Sequence, residues 1–181
     1  MRKRTKRFAA LGLDYLVIMG WLAVLGVCST VVFLVRGELP DTLGMLAPLG
    51  SGVLYFFLLV FAVGVYLFKT ESGEYHATWG KRKMGLEVRS TDGRTPNKMQ
   101  ILLRTIVKLV PWEFAHIFVW QMMYVFYREG WEAMPPVWVF VGLNPATAAA
   151  LVYIVRVLVT GRGPHDMAGR TMVRLRVKPA A

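Results

Sequence analysis

The 181-residue sequence predicts an all-α integral membrane protein: four transmembrane helices, both termini cytoplasmic, a cytoplasmic amphipathic helix and a small two-stranded β-ribbon. Three observations predict it. The chain is 55% apolar and only 18% charged, with a mean hydropathy of +0.44, which is too apolar for a soluble domain. Its apolar residues gather in runs of about 20 or more, the length a helix needs to cross a bilayer core. Its cations gather between those runs. Residues 1–7, 69–108 and 156–178 each carry a net charge of +5, whereas the connectors 36–42 and 128–136 are net negative. That alternation is the positive-inside pattern, which puts the N-terminus, the central loop and the C-terminus on the cytoplasmic side of the cell membrane. The overall charge of +11 therefore does not point to nucleic acid as a partner.

The first span is expected over about 8–35. Residues 8–35 hold a single side chain that is normally charged, Asp14. Arg7 lies at the mouth of this helix, and Asp14, seven residues on, returns to nearly the same face roughly 10 Å deeper. A carboxylate at that depth is costly unless paired, neutralised or wetted, so Asp14 is a functional-site candidate; the alternative is that it only locks helices together. A signal peptide is excluded on length, because the apolar stretch exceeds a typical h-region and contains Asp14. Leu25-Gly26-Val27-Cys28 has the outline of a lipoprotein processing box, but Val27 is too bulky for it. The single cysteine, Cys28, excludes an internal disulfide framework.

Arg36-Gly37-Glu38-Leu39-Pro40-Asp41 is read as a short external turn, and a second span of scaffold character follows over about 43–68. Residues 69–108 form the expected cytoplasmic loop. Within it, residues 84–90 read as a short strand because Leu86 and Val88 alternate with Glu87 and Arg89 ahead of an Asp92-Gly93 turn. Its partner is the C-terminal segment that sets Thr171, Val173, Leu175 and Val177 on one face. Gly80-Lys81-Arg82 has a fragment of phosphate-loop chemistry without the strand or the glycine spacing such a loop needs. From Lys98, the apolar residues Met99, Leu102, Leu103, Ile106 and Val107 share one side of a helix, with Lys98, Arg104 and Lys108 on the other and Ile101 the one misfit. This predicts a basic amphipathic helix at the inner membrane surface, its three cations meeting anionic lipid headgroups. Pro111 marks a bend, a third span follows over 109–127, and a fourth over 137–159 is expected to kink at Asn144-Pro145.

Depth suggests a site in the inner half of the bundle. Glu113 and His116 lie about 8 and 12 Å beyond Lys108 by helical rise and share a side at i, i+3, so with Asp14 three titratable groups could converge. Glu-x-x-His spacing can serve a metal in helix bundles, but a single copy makes Glu113 and His116 only weak metal candidates. Mutual satisfaction of the two and a proton or cation pathway are the other readings. No serine, threonine or cysteine is placed with His116 for nucleophilic catalysis, so no enzymatic activity is expected, and no cofactor. His165-Asp166 follows the fourth span, where an Arg7–Asp166 pair would close the cytoplasmic end; a solvated loop is the alternative.

Three segments carry a family resemblance: Arg7-Phe-Ala-Ala-Leu-Gly-Leu-Asp14, Ala77-Thr-Trp-Gly80-Lys81-Arg82-Lys-Met-Gly85-Leu-Glu-Val88 with Asp92-Gly93, and His165-Asp166-Met-Ala-Gly169-Arg-Thr-Met-Val173. In this order they resemble the RDD family of small bacterial multi-pass membrane proteins. The resemblance implies that Arg7, Asp14 and Asp166 are the family's named arginine and two aspartates, and that the activity is transport of ions or other ligands, including cation/proton antiport. Trp79 departs from the proline many members carry there, and Glu113 and His116 exceed the family pattern.

The expectation is one membrane domain over 1–181. Arg7, Asp14, Glu113, His116 and Asp166 form its transport and gate residues, and a proton or small cation is its cargo. The bilayer and its anionic headgroups are its surroundings, and a homo-oligomer its working form. A non-transporting scaffold that recruits a partner through the basic loop, and an anionic-lipid-binding protein, are the rivals.

Overall fold

The computed structural model describes residues 3–38 and 41–176; Leu39, Pro40 and Val177 of the expected turn and strand lie outside the described residues. The elements are α1 (Lys3–Arg36), α2 (Thr42–Tyr55), a π-helical stretch (Phe56–Phe61), α3 (Ala62–Ser72), α4 (Trp79–Lys83), β1 (Leu86–Ser90), α5 (Lys98–Glu129), α6 (Val137–Thr160), α7 (Pro164–Ala168) and β2 (Thr171–Leu175). Three helical stretches among the described residues, Arg4–Arg36, Leu49–Ser72 and Val137–Thr160, are long and apolar enough to cross a membrane. The expected third span, 109–127, falls inside α5, a helix of 32 residues.

The chain divides into two compact units. The first comprises 1–18, 63–109 and 151–181. Its small core joins Ala10 of α1 to Leu86 and Val173 of an antiparallel β1–β2 ribbon, with Met84 packed alongside. The ribbon pairs Leu86 with Leu175 and Val88 with Val173; Leu86, Val88 and Val173 are buried while Leu175 is exposed, and its first strand begins two residues later than the expected 84. Gly93 (φ +88°) and an Asp92 carboxylate that accepts the Arg94 amide at 3.0 Å make the turn after β1. α5 then starts on a reciprocal cap: Gln100 N–H donates to Asn97 Oδ1 at 2.8 Å while Asn97 N–H donates to Gln100 Oε1 at 3.0 Å.

Three expectations change in this unit. The second membrane helix runs to Ser72, not 68, so Glu71 belongs to a helix and not to the loop. Residues 98–108 are the first three turns of α5 and not a separate surface helix, and the helix continues through Pro111 without a break. Proline cannot donate to the carbonyl four residues earlier. That carbonyl, of Val107, instead accepts the Tyr153 hydroxyl from α6 at 2.6 Å. The third change is orientation. Met99, Leu102, Leu103 and Ile106 face outward, whereas Ile101, the sequence misfit, is 0% exposed beside Arg104 and Thr105. Arg104 and Thr105 face the protein and the apolar side faces out, while Lys98 at the start of the stretch stays exposed.

The second unit comprises 19–62 and 110–150. Asp41 caps α2 by accepting the Gly44 amide at 2.8 Å and also accepts the Tyr127 hydroxyl at 2.6 Å. Tyr55 stacks on Trp120 with ring centroids 4.1 Å apart. In the π-helical stretch the Leu58 carbonyl accepts the Trp21 indole N–H at 2.7 Å, a side-chain insertion of the kind that accompanies such bulges. α6 continues through Pro145, and Asn144 donates back to the Phe140 carbonyl at 2.9 Å.

Candidate functional site

The first unit buries an unusual density of charge. Asp14, 6% exposed, is held by three uncharged donors. Tyr66 of α3 donates its hydroxyl to Oδ1 at 2.9 Å, the Gly80 amide donates to the same oxygen at 2.8 Å, and Thr78 donates its hydroxyl to Oδ2 at 2.6 Å. The loop sequence explains this cradle. Thr78 is the N-cap of α4 and accepts the Lys81 amide, so the first turn of α4 leaves the Gly80 N–H free to donate to the carboxylate. Gly80 makes the approach possible: a Cβ there would overlap the Ala10 carbonyl of α1. The Tyr66 hydroxyl also accepts the Trp79 amide at 3.1 Å, which ties α4 to α3. Among the described residues, Asp14 has no ion-pair partner.

Arg7 turns elsewhere. Its guanidinium donates to the Gly161 carbonyl and pairs with Asp166 Oδ2 at 2.8 Å. Asp166 is placed by Gly163-Pro164-His165-Asp166, in which Pro164 opens α7 and Asp166 Oδ2 accepts the Gly163 amide at 2.8 Å. Its Oδ1 pairs with Arg104 Nη1, which also donates to the Thr171 hydroxyl at 3.0 Å. Arg104 Nε continues the chain to Glu71 Oε2 at 2.7 Å, and Glu71 Oε1 takes Lys81 Nζ at 2.5 Å, with Lys108 Nζ 4.0 Å away. The result is an alternating line, Arg7–Asp166–Arg104–Glu71–Lys81, joining α1, α7, α5, α3 and α4. Gly169 permits it, since a Cβ there would come 2.6 Å from the Gln100 carbonyl and hold α7 away from α5.

Burial alone would raise the pKa of Asp166, but Arg104 and Arg7 outweigh it and hold the carboxyl well below the ordinary range. Burial alone would lower that of Arg104, yet Glu71 and Asp166 push it up. His165 is driven well below the usual imidazole value, first by burial and then by Arg104. Its ring stacks on Tyr153 at 5.8 Å and lies 3.8 Å from Asp166, with Nδ1 buried and unbonded.

The structure thus brings Arg7 and Asp166 together, and gathers Asp14 with donors that sequence reading did not single out. It corrects the headgroup role expected of Arg104, which is 1% exposed between two carboxylates. Lys108 is half-buried beside Glu71, and of the three headgroup candidates only Lys98 is exposed. Glu113 and His116 lie in the second unit, each half-buried, with Glu113 Oε2 and His116 Nδ1 buried and unbonded. No group of three metal-ligating side chains forms among the described residues. Glu71, Tyr66, Thr78 and Lys81 were missed. The signal for Glu71 was a carboxylate one turn beyond the apolar run, in the last turn of α3.

Apolar helices and this buried charge line, held by a loop and a ribbon, define a membrane protein with a polar site built into one unit. The chain belongs to the RDD family, whose model matches residues 2–170. No curated protein and no solved structure matches it.

Proposed function

We propose that this chain is a non-enzymatic carrier that exchanges protons for small cations across the cell membrane. It would have four spans, with α5 supplying the one beyond the three apolar helices, both termini in the cytoplasm, and a homo-oligomer completing the pathway. The three basic blocks support that orientation. The observation that carries the transport reading is the state of Asp14: an acid on a membrane helix held by neutral donors, while Asp166 and Glu71 are committed to cations. Such a carboxylate can take up a proton or a small cation without breaking a salt bridge, which is the chemistry of an intramembrane relay. The Arg7–Asp166–Arg104 line would serve as its cytoplasmic gate, and Glu113 with His116 as a second proton-binding pair.

The test is cation-driven proton movement in proteoliposomes. Asp14→Asn is expected to abolish it, and flux equal to wild type would reject the role of Asp14. A second reading, a scaffold that recruits a partner, is favoured by the closed character of the ion-pair line, which suits a rigid platform. On that reading Asp14→Asn leaves partner recovery intact and wild-type vesicles show no flux.

A further inference from the structure

The exposed side of α4 carries a second basic feature, independent of the buried line. Gly80 and Lys81 turn inward, while Trp79, Arg82 and Lys83 face out. The Arg82 guanidinium lies 3.7 Å from the centroid of the Tyr75 ring, and Arg176 stands 5.0 Å from the same centroid. Lys83 Nζ is 5.9 Å from the Trp79 ring. Local backbone fixes this grouping: the Arg176 amide donates to the Gly85 carbonyl at 2.9 Å, which binds the end of β2 to the turn after α4. Among the described residues, none of Arg82, Lys83 and Arg176 is ion-paired with a carboxylate. Three cations on two aromatic rings therefore leave an uncompensated positive patch.

Its position says what it meets. The Trp79 amide is bonded to the hydroxyl of Tyr66, a residue of the apolar span Leu49–Ser72, so the exposed indole stands beside a membrane helix within about two turns of its end. An exposed tryptophan next to unpaired cations at such a level matches the boundary between acyl chains and headgroups. We propose that Trp79, Tyr75, Arg82, Lys83 and Arg176 form a binding site for an anionic phospholipid headgroup. The phosphate would sit between the two guanidinium groups and the indole would lie against the acyl chain. Lys98 is not among its residues, and the site does not depend on the transport reading.

Native mass spectrometry of the detergent-solubilised full chain, given phosphatidylglycerol or phosphatidylcholine, tests it. Each neutralised cation is expected to weaken phosphatidylglycerol retention about fivefold, so Arg82→Gln with Lys83→Gln and Arg176→Gln should lose on the order of a hundredfold. Lys98→Gln should lose at most the fivefold of one surface cation, and phosphatidylcholine retention should not change. Folding of the triple variant is checked by its thermal transition, and Trp79→Ala, which keeps all three cations, should lower retention of either lipid. Equal phosphatidylglycerol retention by wild type and a folded triple variant would overturn the proposal. So would displacement of the lipid by inorganic phosphate, which would make the site one for free anions.

Discussion

Replacing Arg104 by methionine removes the centre of the buried line while keeping the length and apolar volume of the side chain. Arg104 is 1% exposed, and its two partners, Glu71 and Asp166, are 1% and 0% exposed. Removing one member of a buried pair costs about 3–5 kcal/mol, because it strands an uncompensated charge. Here Glu71 keeps Lys81 at 2.5 Å and Asp166 keeps Arg7 at 2.8 Å, so neither carboxylate is left alone. The expected loss is therefore at the lower end, about 3 kcal/mol. Glu71→Gln should cost less in the Arg104→Met background than alone, since one of the buried cations that Glu71 neutralises is already gone while Lys81 is stranded in both. Reversible unfolding from mixed micelles by titration with dodecyl sulfate, followed by far-ultraviolet circular dichroism, gives the free energies for all four proteins of the cycle. A loss under about 1 kcal/mol for Arg104→Met would refute the reasoning, as would single effects that add within about 0.5 kcal/mol.

Three further outcomes use the same assay. Gly80→Ala should destabilise by about 1–3 kcal/mol, because its methyl group meets the Ala10 carbonyl and the Asp14 carboxylate; wild-type stability would show that α4 does not press on α1. Thr78→Val should cost about 1–3 kcal/mol by leaving Asp14 Oδ2 without its hydroxyl donor, and Thr78→Ser should restore most of it. His165 titrates in the same sense as a salt-bridged acid, but in a higher pH window. Its folded pKa is depressed, so below about pH 6.5 the unfolded chain takes up a proton that the folded chain refuses, and stability falls by about 1.4 kcal/mol per pH unit. The contribution is absent above that pH. His165→Phe should flatten stability between pH 7 and pH 5 by about 2 kcal/mol, and an unchanged slope would contradict a neutral buried imidazole.

Much of this architecture was legible in the residues, and the failures have physical causes. Long apolar runs announced α1 and α6, because a helix that crosses a bilayer needs them, and the 2-residue alternation at Leu86 and Val88 announced the ribbon. The pairing of Arg7 with Asp166 was readable from the ends of the first and last membrane helices. The direction of residues 98–108 was not. Periodicity tells which residues share a face and is silent on whether that face meets protein or lipid, so Arg104 was turned toward headgroups when it belongs inside. Ile101 held the clue: the one apolar residue on the basic side is the one that is fully buried. Glu71 was lost to a boundary, since an apolar run ends before its helix does when the last turn carries polar residues inward. The neutral donors of Asp14 were hidden for another reason. Two of them belong to a loop whose helix, α4, is only five residues long, too short for any pattern to reveal.

The claim on which the rest depends is that Asp14 anchors the loop by binding the start of α4. Amide hydrogen exchange at Gly80, whose N–H donates to Asp14 Oδ1 at 2.8 Å, tests it most directly. Slow exchange at Gly80 in the wild-type protein, accelerated at least tenfold in Asp14→Asn, is the predicted result. Gly80 exchange in the wild type as fast as that of the exposed turn at Asp92-Gly93 would contradict it.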